Sequence, residues 1–348
     1  MAGILLQNPS PLPAGTRLRE VDELKGWAML LVLLYHIGGV LGWPNWLHGE
    51  VGVDVFVIIS GFTLARSSAQ LGWKDFVLRR MLRIYPAYWI ALGLFLYLSW
   101  RFYAVERDGL NITLHVLGVH GFSLPAYFSD INDSFWFISL ILLLYAVFLG
   151  VRRHLDDVTT VLGVGFLLAA GVTWAYLAAG HGGAIGHLAV RIPSFFVGLV
   201  AGRLTLPEPV RIRFNLMFAV GMLALVYLGF RTNIIMFYAF AAPALMAGFL
   251  VVRRTLVKHP DGRFVLSGFA LLGVYSYEIF LFHQPLIRDY NRLIWGSTMG
   301  VDNPNNWQLG TGIALALLVT FLISAIVHRL TNFIFSRRQP DAPAAPPA

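Results

Sequence analysis

Two ionisable side chains stand in the first apolar segment of the chain, over residues 24–41. Lys25 opens this segment, and His36 follows about three helical turns later, roughly 16 Å further along the axis on the same face. An ionisable group inside a membrane span is costly, which makes it a candidate functional residue. A neutral imidazole can act as a general base toward a hydroxyl group. The alternative is a histidine that only joins two packed helices by a hydrogen bond.

A carboxylate follows at the start of the second apolar segment, in the motif GVDVF at residues 52–56. Asp54 is predicted to lie near the outer membrane boundary, at the depth of His36 if the two helices are neighbours. It could orient the imidazole or bind a sugar hydroxyl. Capping of the helix start is the structural alternative.

The densest basic run, at residues 76–86, contains Arg79, Arg80 and Arg83 and leads to Tyr85. Arg80 and Arg83 are three positions apart and share a helix face. Guanidinium groups match the geometry of phosphate oxygens, so the run is a candidate phosphate-binding segment. Attraction of a cytoplasmic basic loop to anionic lipid headgroups is the alternative.

Two further polar groups are predicted near the outer face. Ser134 and Trp136 stand at the start of the fourth apolar segment, where an interfacial aromatic belt is the alternative. Ser276 and His283 share one face of the ninth segment, and His283 reaches the outer half of the membrane. We predict no metal site, because His181 and His187 have no accompanying ligands at suitable spacing.

The composition predicts an all-α polytopic membrane protein. Hydrophobic residues make up 57% of the chain and charged residues only 13%, with a mean hydropathy of +0.68. Apolar runs indicate about ten spans, and most of the 26 lysines and arginines fall on alternate connecting segments, so both termini are predicted to be cytoplasmic. The spans lie near 24–41, 52–70, 86–104, 134–151, 158–179, 188–204, 214–230, 233–252, 264–287 and 308–330.

One transmembrane domain is predicted over residues 1–338, followed by a disordered Pro/Ala-rich tail at 339–348. The positive-inside pattern accounts for the basic character of the chain, so no nucleic-acid partner is expected. The expected location is a bacterial inner membrane, in contact with its lipids.

The motifs, taken in order, resemble the membrane acyltransferase-3 family. They are DELKG at 22–26 leading to Tyr35 and His36, GVDVF at 52–56, SGF at 60–62, RRMLRIYP at 79–86, FW at 135–136, and SY at 276–277 followed by His283. The resemblance extends over most of the chain.

This resemblance implies a membrane O-acyltransferase that moves an acyl group, commonly acetyl, from cytoplasmic acyl-CoA to a glycan or glycolipid outside the membrane. It assigns catalysis to His36, as general base or transient acyl carrier, and donor binding to Lys25 and the arginine run. Acyl-CoA is a co-substrate, and no tightly bound cofactor is expected. The chain departs from the usual pattern in two ways: Lys25 replaces an arginine, and Ile141 and Leu142 replace carboxylates.

Two other functions compete with this interpretation. A transporter or flippase could use His36, Glu278 and His283 as a polar path, although the chain shows no visible internal repeat. A non-catalytic sensor or assembly partner that retains the fold is the third possibility, suggested by the missing carboxylates in the fourth span.

Overall fold

The computed structural model describes residues 18–42, 49–68, 71–123, 130–157, 191–203, 234–295 and 306–336, with isolated positions between these ranges. The described residues form helices and contain no strand, in agreement with the all-α prediction. The helices are α1 (Arg19–Val40), α2 (Val51–Ser67), α3 (Trp73–Tyr103), α4 (Gly109–Val116), α5 (Trp136–Val151), α6 (Ile192–Arg203), α7 (Ile234–Leu256), α8 (Pro260–Val274), α9 (Ser276–Trp295) and α10 (Asn306–Ser336).

Four of the described helices are long and apolar enough to cross a membrane: α1, α3, α5 and α10. Counting α8 and α9 together as one broken span raises the number to five. Helix α2, with 17 residues, and α6, with 12, are shorter. The predicted spans at 158–179 and 214–230 lie largely outside the described residues, and the predicted tail lies wholly outside them.

Apolar side chains cover the outer surface of the bundle. On α10, Leu318, Leu322 and Ile326 recur every four residues and are each more than half exposed. Such a stripe is unfavourable in water but stable against lipid tails, and the backbone polar groups are satisfied within the helix. The exposed face of α10 is therefore a lipid-facing surface.

Close backbone contact joins α1 to α8. A Cβ atom added to Gly26 would lie 1.8 Å from the carbonyl oxygen of Phe269, and one added to Gly273 would lie 1.8 Å from that of Asp22. Small residues allow helix backbones to approach in this way, which increases van der Waals contact where the hydrophobic effect gives no net attraction. Gly61 and Gly198 play the same part between α2 and α6.

The predicted ninth span, 264–287, is broken in the structure, so its prediction as one continuous helix is wrong. Helices α8 and α9 meet at Tyr275 with an angle of 79°. The hydroxyl of Ser276 donates a hydrogen bond to the Gly273 carbonyl oxygen, at 2.8 Å, and so satisfies a backbone group at the break. Apolar periodicity continues through such a break, which explains why the sequence pattern did not reveal it.

The third helix also differs from its prediction. It begins at Trp73 rather than near residue 86, so the arginine run belongs to the helix itself. After α3 the chain turns back through α4, whose end packs against the middle of α3. The hydroxyl of Tyr88 donates to the His115 carbonyl oxygen at 2.6 Å, and the indole of Trp89 donates to that of Val116 at 2.9 Å.

Basic residues from successive segments meet at one end of the bundle. Arg80 donates to the hydroxyl of Ser68, Arg152 donates to the Leu71 carbonyl oxygen, and Arg253 pairs with Glu23. We call this end the inner end, because the positive-inside rule predicts that it faces the cytoplasm, and the opposite end the outer end.

Replacing Gly26 by alanine should destabilise the contact between α1 and α8. The added methyl group would overlap the Phe269 backbone, and overpacking of this kind costs about 1–3 kcal/mol. Thermal unfolding of the detergent-solubilised protein tests this. Gly268→Ala is the control, because a Cβ at Gly268 meets nothing within 4 Å. Equal stability of the two variants would contradict the expectation.

Candidate active site

Two imidazole rings from distant parts of the chain meet inside the bundle. His36 of α1 and His283 of α9 have ring centroids 4.8 Å apart, with their planes inclined at 66°. The His283 side chain is completely buried, whereas His36 is partly accessible. Because ionisable groups are expensive in a membrane bundle, this pair in contact is a candidate functional site.

The environment of His283 determines which of its nitrogens can accept a proton. Nδ1 lies 2.9 Å from the Phe280 carbonyl oxygen and 3.1 Å from that of Ile279. Carbonyl oxygens only accept hydrogen bonds, so Nδ1 must bear the hydrogen. Nε2 is buried and has no hydrogen-bond partner within the described structure. The neutral ring therefore presents a lone pair on Nε2.

A carboxylate that precedes α2 lies close to His36. The hydroxyl of Tyr35 donates to Oε1 of Glu50 at 3.2 Å, and the Tyr35 ring lies edge-on to His36, with centroids 5.1 Å apart. Glu50 is within electrostatic range of the His36 imidazole. A negative charge at this distance favours a positively charged imidazolium. Glu50 can therefore stabilise His36 when it takes up a proton.

Arg191, immediately before α6, connects the carboxylates at this end of the bundle. It is almost fully buried, and its Nη2 lies 3.3 Å from Oε2 of Glu50 while its Nε lies 3.8 Å from Oδ2 of Asp54. The guanidinium also stacks over the Trp136 ring, 4.6 Å from its centroid. A desolvated cation–π contact contributes about 2 kcal/mol. Together these contacts hold α2, α5 and α6 around the histidines.

Asp54 lies in this ion-pair network rather than against His36. Its Oδ1 accepts a hydrogen bond from the Ser194 hydroxyl at 3.1 Å, and its side chain is fully buried. The sequence predicted Asp54 beside the imidazole, but the carboxylate near His36 belongs to Glu50, four residues earlier in the chain. A catalytic role of Asp54 stays a prediction.

The outer turn before α5 contacts α9 beside His283. The amide of Asn132 donates to the Leu281 carbonyl oxygen at 2.9 Å, and the amide of Gln284 donates to Oδ2 of Asp133 at 2.8 Å. Arg288 reaches the same Asp133 oxygen at 3.4 Å. Asp133 and Arg288 both lie within electrostatic range of His36. These contacts fix α9 at the height where its histidine meets α1.

The predicted donor-binding residues lie on the inner half and differ in exposure. Arg79 and Arg83 are exposed, whereas Arg80 is partly buried, with its guanidinium 5.5 Å from the Phe76 ring and 5.7 Å from the Tyr145 ring. Lys25 lies 3.7 Å from a carboxylate oxygen of Asp22. Arg80 therefore joins α2, α3 and α5, and Arg79 and Arg83 present the more accessible charges.

Three predicted residues have contacts that define their surroundings. The hydroxyl of Tyr85 donates to the Leu117 carbonyl oxygen at 2.7 Å, so it contacts the segment after α4. Ser134 is buried, and its backbone N–H donates to the Asn132 side chain at 2.8 Å. Ser276 lies at the break between α8 and α9, away from the outer end. Their roles in binding stay predictions.

Glu278 and His283, two members of the predicted polar path, point to different neighbours. Glu278 accepts from Nδ1 of His328 on α10, at 2.9 Å, and His328 also packs edge-on to Tyr275. His283 contacts His36 instead. These side chains form two separate polar pairs on α9 at different heights.

Sequence reasoning missed Glu50 and Arg191. Both could have been suspected, because Arg191 is one of the few basic residues on segments predicted to lie outside, and Glu50 directly precedes the GVDVF motif. The sequence could not predict that Glu50 and Arg191 form an ion pair, because helix packing alone brings residues so far apart in the chain together.

A second polar cluster lies at the outer end between α3, α4 and the turn before α5. Oδ2 of Asp130 accepts from Nε of Arg107 at 3.0 Å and from the Asn111 amide at 2.6 Å, while Nε2 of His115 lies 3.5 Å from Oδ1. The rings of His115 and His120 are stacked, with centroids 3.9 Å apart. Within the described part of the chain, no group of three His, Cys, Asp or Glu side chains is arranged to hold a metal ion.

Comparison with known proteins assigns the chain to a family. Residues 18–328 match the acyltransferase domain of the acyltransferase-3 family, and the chain belongs to that family. It is also 26% identical, over 94% of its length and 86% of the relative's, to a protein of Komagataeibacter xylinus that bears the name membrane-bound transacylase BcsY. No solved structure matches the chain at a significant level. The protein is thus an integral-membrane acyltransferase, and its sequence-based family assignment is confirmed.

Lowering the pH should destabilise the fold through the stacked histidines. Burial lowers the pKa of His120 to about 3, against about 6.5 in an unfolded chain. Below pH 6.5 the unfolded chain binds a proton that the folded protein excludes, so stability falls as the pH drops toward 3. At pH 5 this loss is about 2 kcal/mol.

Thermal unfolding at pH 7 and pH 5 measures the effect, and His120→Asn should reduce the difference between the two. His154→Asn is the matched control, because His154 is exposed. If His120→Asn leaves the pH dependence unchanged, another group is responsible.

Proposed function

We propose that this acyltransferase takes an acyl group from cytoplasmic acyl-CoA and transfers it to a hydroxyl of an extracytoplasmic or cell-envelope glycan, at His36. The observation that supports this best is the contact of His36 with His283 inside the bundle, beside Glu50. An imidazole can accept the hydroxyl proton during acyl transfer. Family membership supplies the acyl chemistry, and the histidine pair supplies a place for it.

The donor would bind from the inner end. Arg79 and Arg83 are exposed there, and Lys25 lies on the first helix below His36. Guanidinium and ammonium groups bind the phosphates of CoA, while the uncharged pantetheine arm suits the apolar interior. His36 stands roughly 16 Å above Lys25 along α1, a distance that an extended pantetheine chain can span.

At the histidine the chemistry can follow one of two routes. As a general base, His36 takes the proton of the acceptor hydroxyl, whose oxygen attacks the thioester carbonyl carbon. The C–S bond breaks, and the proton passes to the CoA sulfur. As an acyl carrier, a ring nitrogen of His36 attacks the thioester carbonyl carbon, the C–S bond breaks, and the CoA thiolate leaves. The acceptor hydroxyl oxygen then attacks the acyl carbon, the bond from that carbon to the ring nitrogen breaks, and the hydroxyl proton passes to the thiolate.

Glu50 and His283 assist His36 in either route. Nε2 of His283 can accept a hydrogen bond from the His36 ring and so orient it. Glu50 stabilises the positive charge that develops on His36. The replacement of carboxylates by Ile141 and Leu142 fits this arrangement, because Glu50, which directly precedes α2, supplies a carboxylate from another part of the chain.

Replacing His36 by alanine should abolish acyl transfer, with at least a 10²–10⁴-fold loss, because the proton acceptor is removed. Transfer of radiolabelled acetyl from acetyl-CoA to membrane glycans measures the activity, and immunoblotting measures membrane abundance. His154→Ala is the control histidine. Acylation that persists in the His36 variant would exclude this histidine from the mechanism, while label on the protein before acceptor is added would favour the acyl-carrier route.

Removing single charges at the inner end should weaken donor binding. We expect Lys25→Ala and Arg83→Ala to raise the Kd of the detergent-solubilised protein for acetyl-CoA about 5–10-fold each, since each removes a charge-assisted contact of roughly 1–1.5 kcal/mol. Lys74→Ala is the control, because Lys74 is an exposed charge on the same helix as Arg83. A wild-type protein that binds no acetyl-CoA would contradict the donor assignment and favour transport.

A further inference from the structure

Two arginines end the contact between α2 and α7 at the inner end of the bundle. Phe62 of α2 and Leu250 of α7 pack against one apolar cluster, which joins buried residues of both helices. Arg66 follows Phe62 by four positions and Arg254 follows Leu250 by four, so each arginine continues the same face of its helix one turn further. Both arginines therefore stand just beyond the apolar contact, where the two helices end.

Neither of these arginines has a counter-charge among the described residues. Nε of Arg66 and Nη1 of Arg254 are buried and have no hydrogen-bond partner. Arg66 lies over the Phe62 ring, 5.8 Å from its centroid, but that contact provides no acceptor for its N–H groups. Arg253 differs, because it pairs with Glu20 and Glu23. Arg66 and Arg254 are only partly buried, so an anion from outside the protein can reach them.

A third guanidinium group belongs to the same region. Gly202 of α6 packs so closely on α2 that a Cβ added to it would lie 2.8 Å from the Phe62 carbonyl oxygen. Arg203 follows directly. Its Nη2 pairs with the largely exposed Asp156 at 2.7 Å, while its Nε is buried without a hydrogen-bond partner in the described part of the chain. Three guanidinium groups thus share one described carboxylate, which leaves the region with a surplus of positive charge.

This surplus of charge favours an anionic ligand. Each arginine stands in the last turn of its helix, where the helix carbonyl groups favour a cation. Those carbonyl groups do not offset the repulsion between arginines of different helices. Partly buried cations with N–H groups that lack acceptors are costly, so a bound anion would stabilise the region.

The arrangement on three helices selects among anions. A carboxylate has two oxygens in one plane, which suits a single guanidinium fork. A phosphate group presents three oxygens in a tetrahedral arrangement and carries up to two negative charges. It can therefore accept hydrogen bonds from guanidinium groups that approach from different helices.

We propose that the inner ends of α2, α6 and α7 form a phosphate-binding site, in which Arg66 and Arg254 bind the phosphate and Arg203 assists them. The site contains neither His36 nor any residue of the arginine run at 79–83, so it does not depend on the proposed function. Two sources of phosphate are available at this end of a membrane protein: the headgroup of an anionic phospholipid, and a soluble phosphate ester.

Calorimetry on the full-length protein in phosphatidylcholine nanodiscs tests the soluble source, with inorganic pyrophosphate and acetyl-CoA as probes. For this source, Arg66→Gln and Arg254→Gln should each raise the Kd of at least one probe about tenfold, because each removes charge-assisted hydrogen bonds. Arg66→Lys keeps the charge but loses the planar fork, so its Kd should be intermediate. Arg153→Gln is the matched control, because Arg153 is an exposed arginine at the same end.

Native mass spectrometry of protein released from nanodiscs that contain phosphatidylglycerol tests the lipid source. For this source, the wild type and Arg153→Gln should retain phosphatidylglycerol, whereas Arg66→Gln and Arg254→Gln should lose it. The affinity for pyrophosphate and acetyl-CoA should then be the same in all of these variants. The two measurements together identify which phosphate occupies the site.

Removal of the competing carboxylate should have the opposite effect. Asp156→Asn releases Arg203 from its ion pair and should strengthen binding of whichever phosphate the site takes. A purely structural role of the arginines predicts no such gain. Thermal unfolding in a buffer without multivalent anions reports whether each variant is folded. Arg66→Gln should be at least as stable there as the wild type, because one of the repelling charges is gone.

Three results would overturn the proposal. The first is an unchanged affinity for both soluble probes together with unchanged phosphatidylglycerol retention in Arg66→Gln and Arg254→Gln. The second is an equal loss of binding in Arg153→Gln, which would indicate a diffuse effect of charge. The third is an Asp156→Asn variant that binds pyrophosphate, acetyl-CoA and phosphatidylglycerol no better than the wild type.

Discussion

Polar side chains inside a lipid-embedded bundle must find partners within the protein, since lipid tails offer no hydrogen bonds. The outer half of this protein depends on that constraint. Arg191 satisfies two carboxylates from the region of α2 and stacks on an indole of α5, so one buried cation holds three helices together. Glu50, fixed in this way, reaches the neighbourhood of His36.

Helix geometry brings the second histidine to the same place. Close contact between α1 and α8 through Gly26 and Gly273 fixes the inner end, and the 79° break before α9 then directs that helix along a new course. Asn132 binds the α9 backbone near His283. Because of the break, α8 packs against the inner part of α1, while α9 brings His283 into contact with His36.

Two polar regions of the described structure differ in character. His36, His283 and Glu50 form a compact group where α1 meets α9, whereas a cavity between α3 and α9 is lined by two ion pairs and aromatic rings. Helix α9 contributes to both, with His283 in the first and Arg288 in the second.

Composition and the spacing of apolar and basic residues determined the all-α membrane class, and motif order determined the family, since both are local properties of the chain. His36 and His283 could each be singled out because an ionisable residue in an apolar segment is costly wherever the segment packs. Only the tertiary structure decided three features of the site. They are the contact of the two histidines, the position of Glu50 rather than Asp54 near the imidazole, and the ion pairs of Arg191. Those features depend on which helix faces meet and where α8 and α9 separate, and such long-range packing leaves no periodic signal in the sequence.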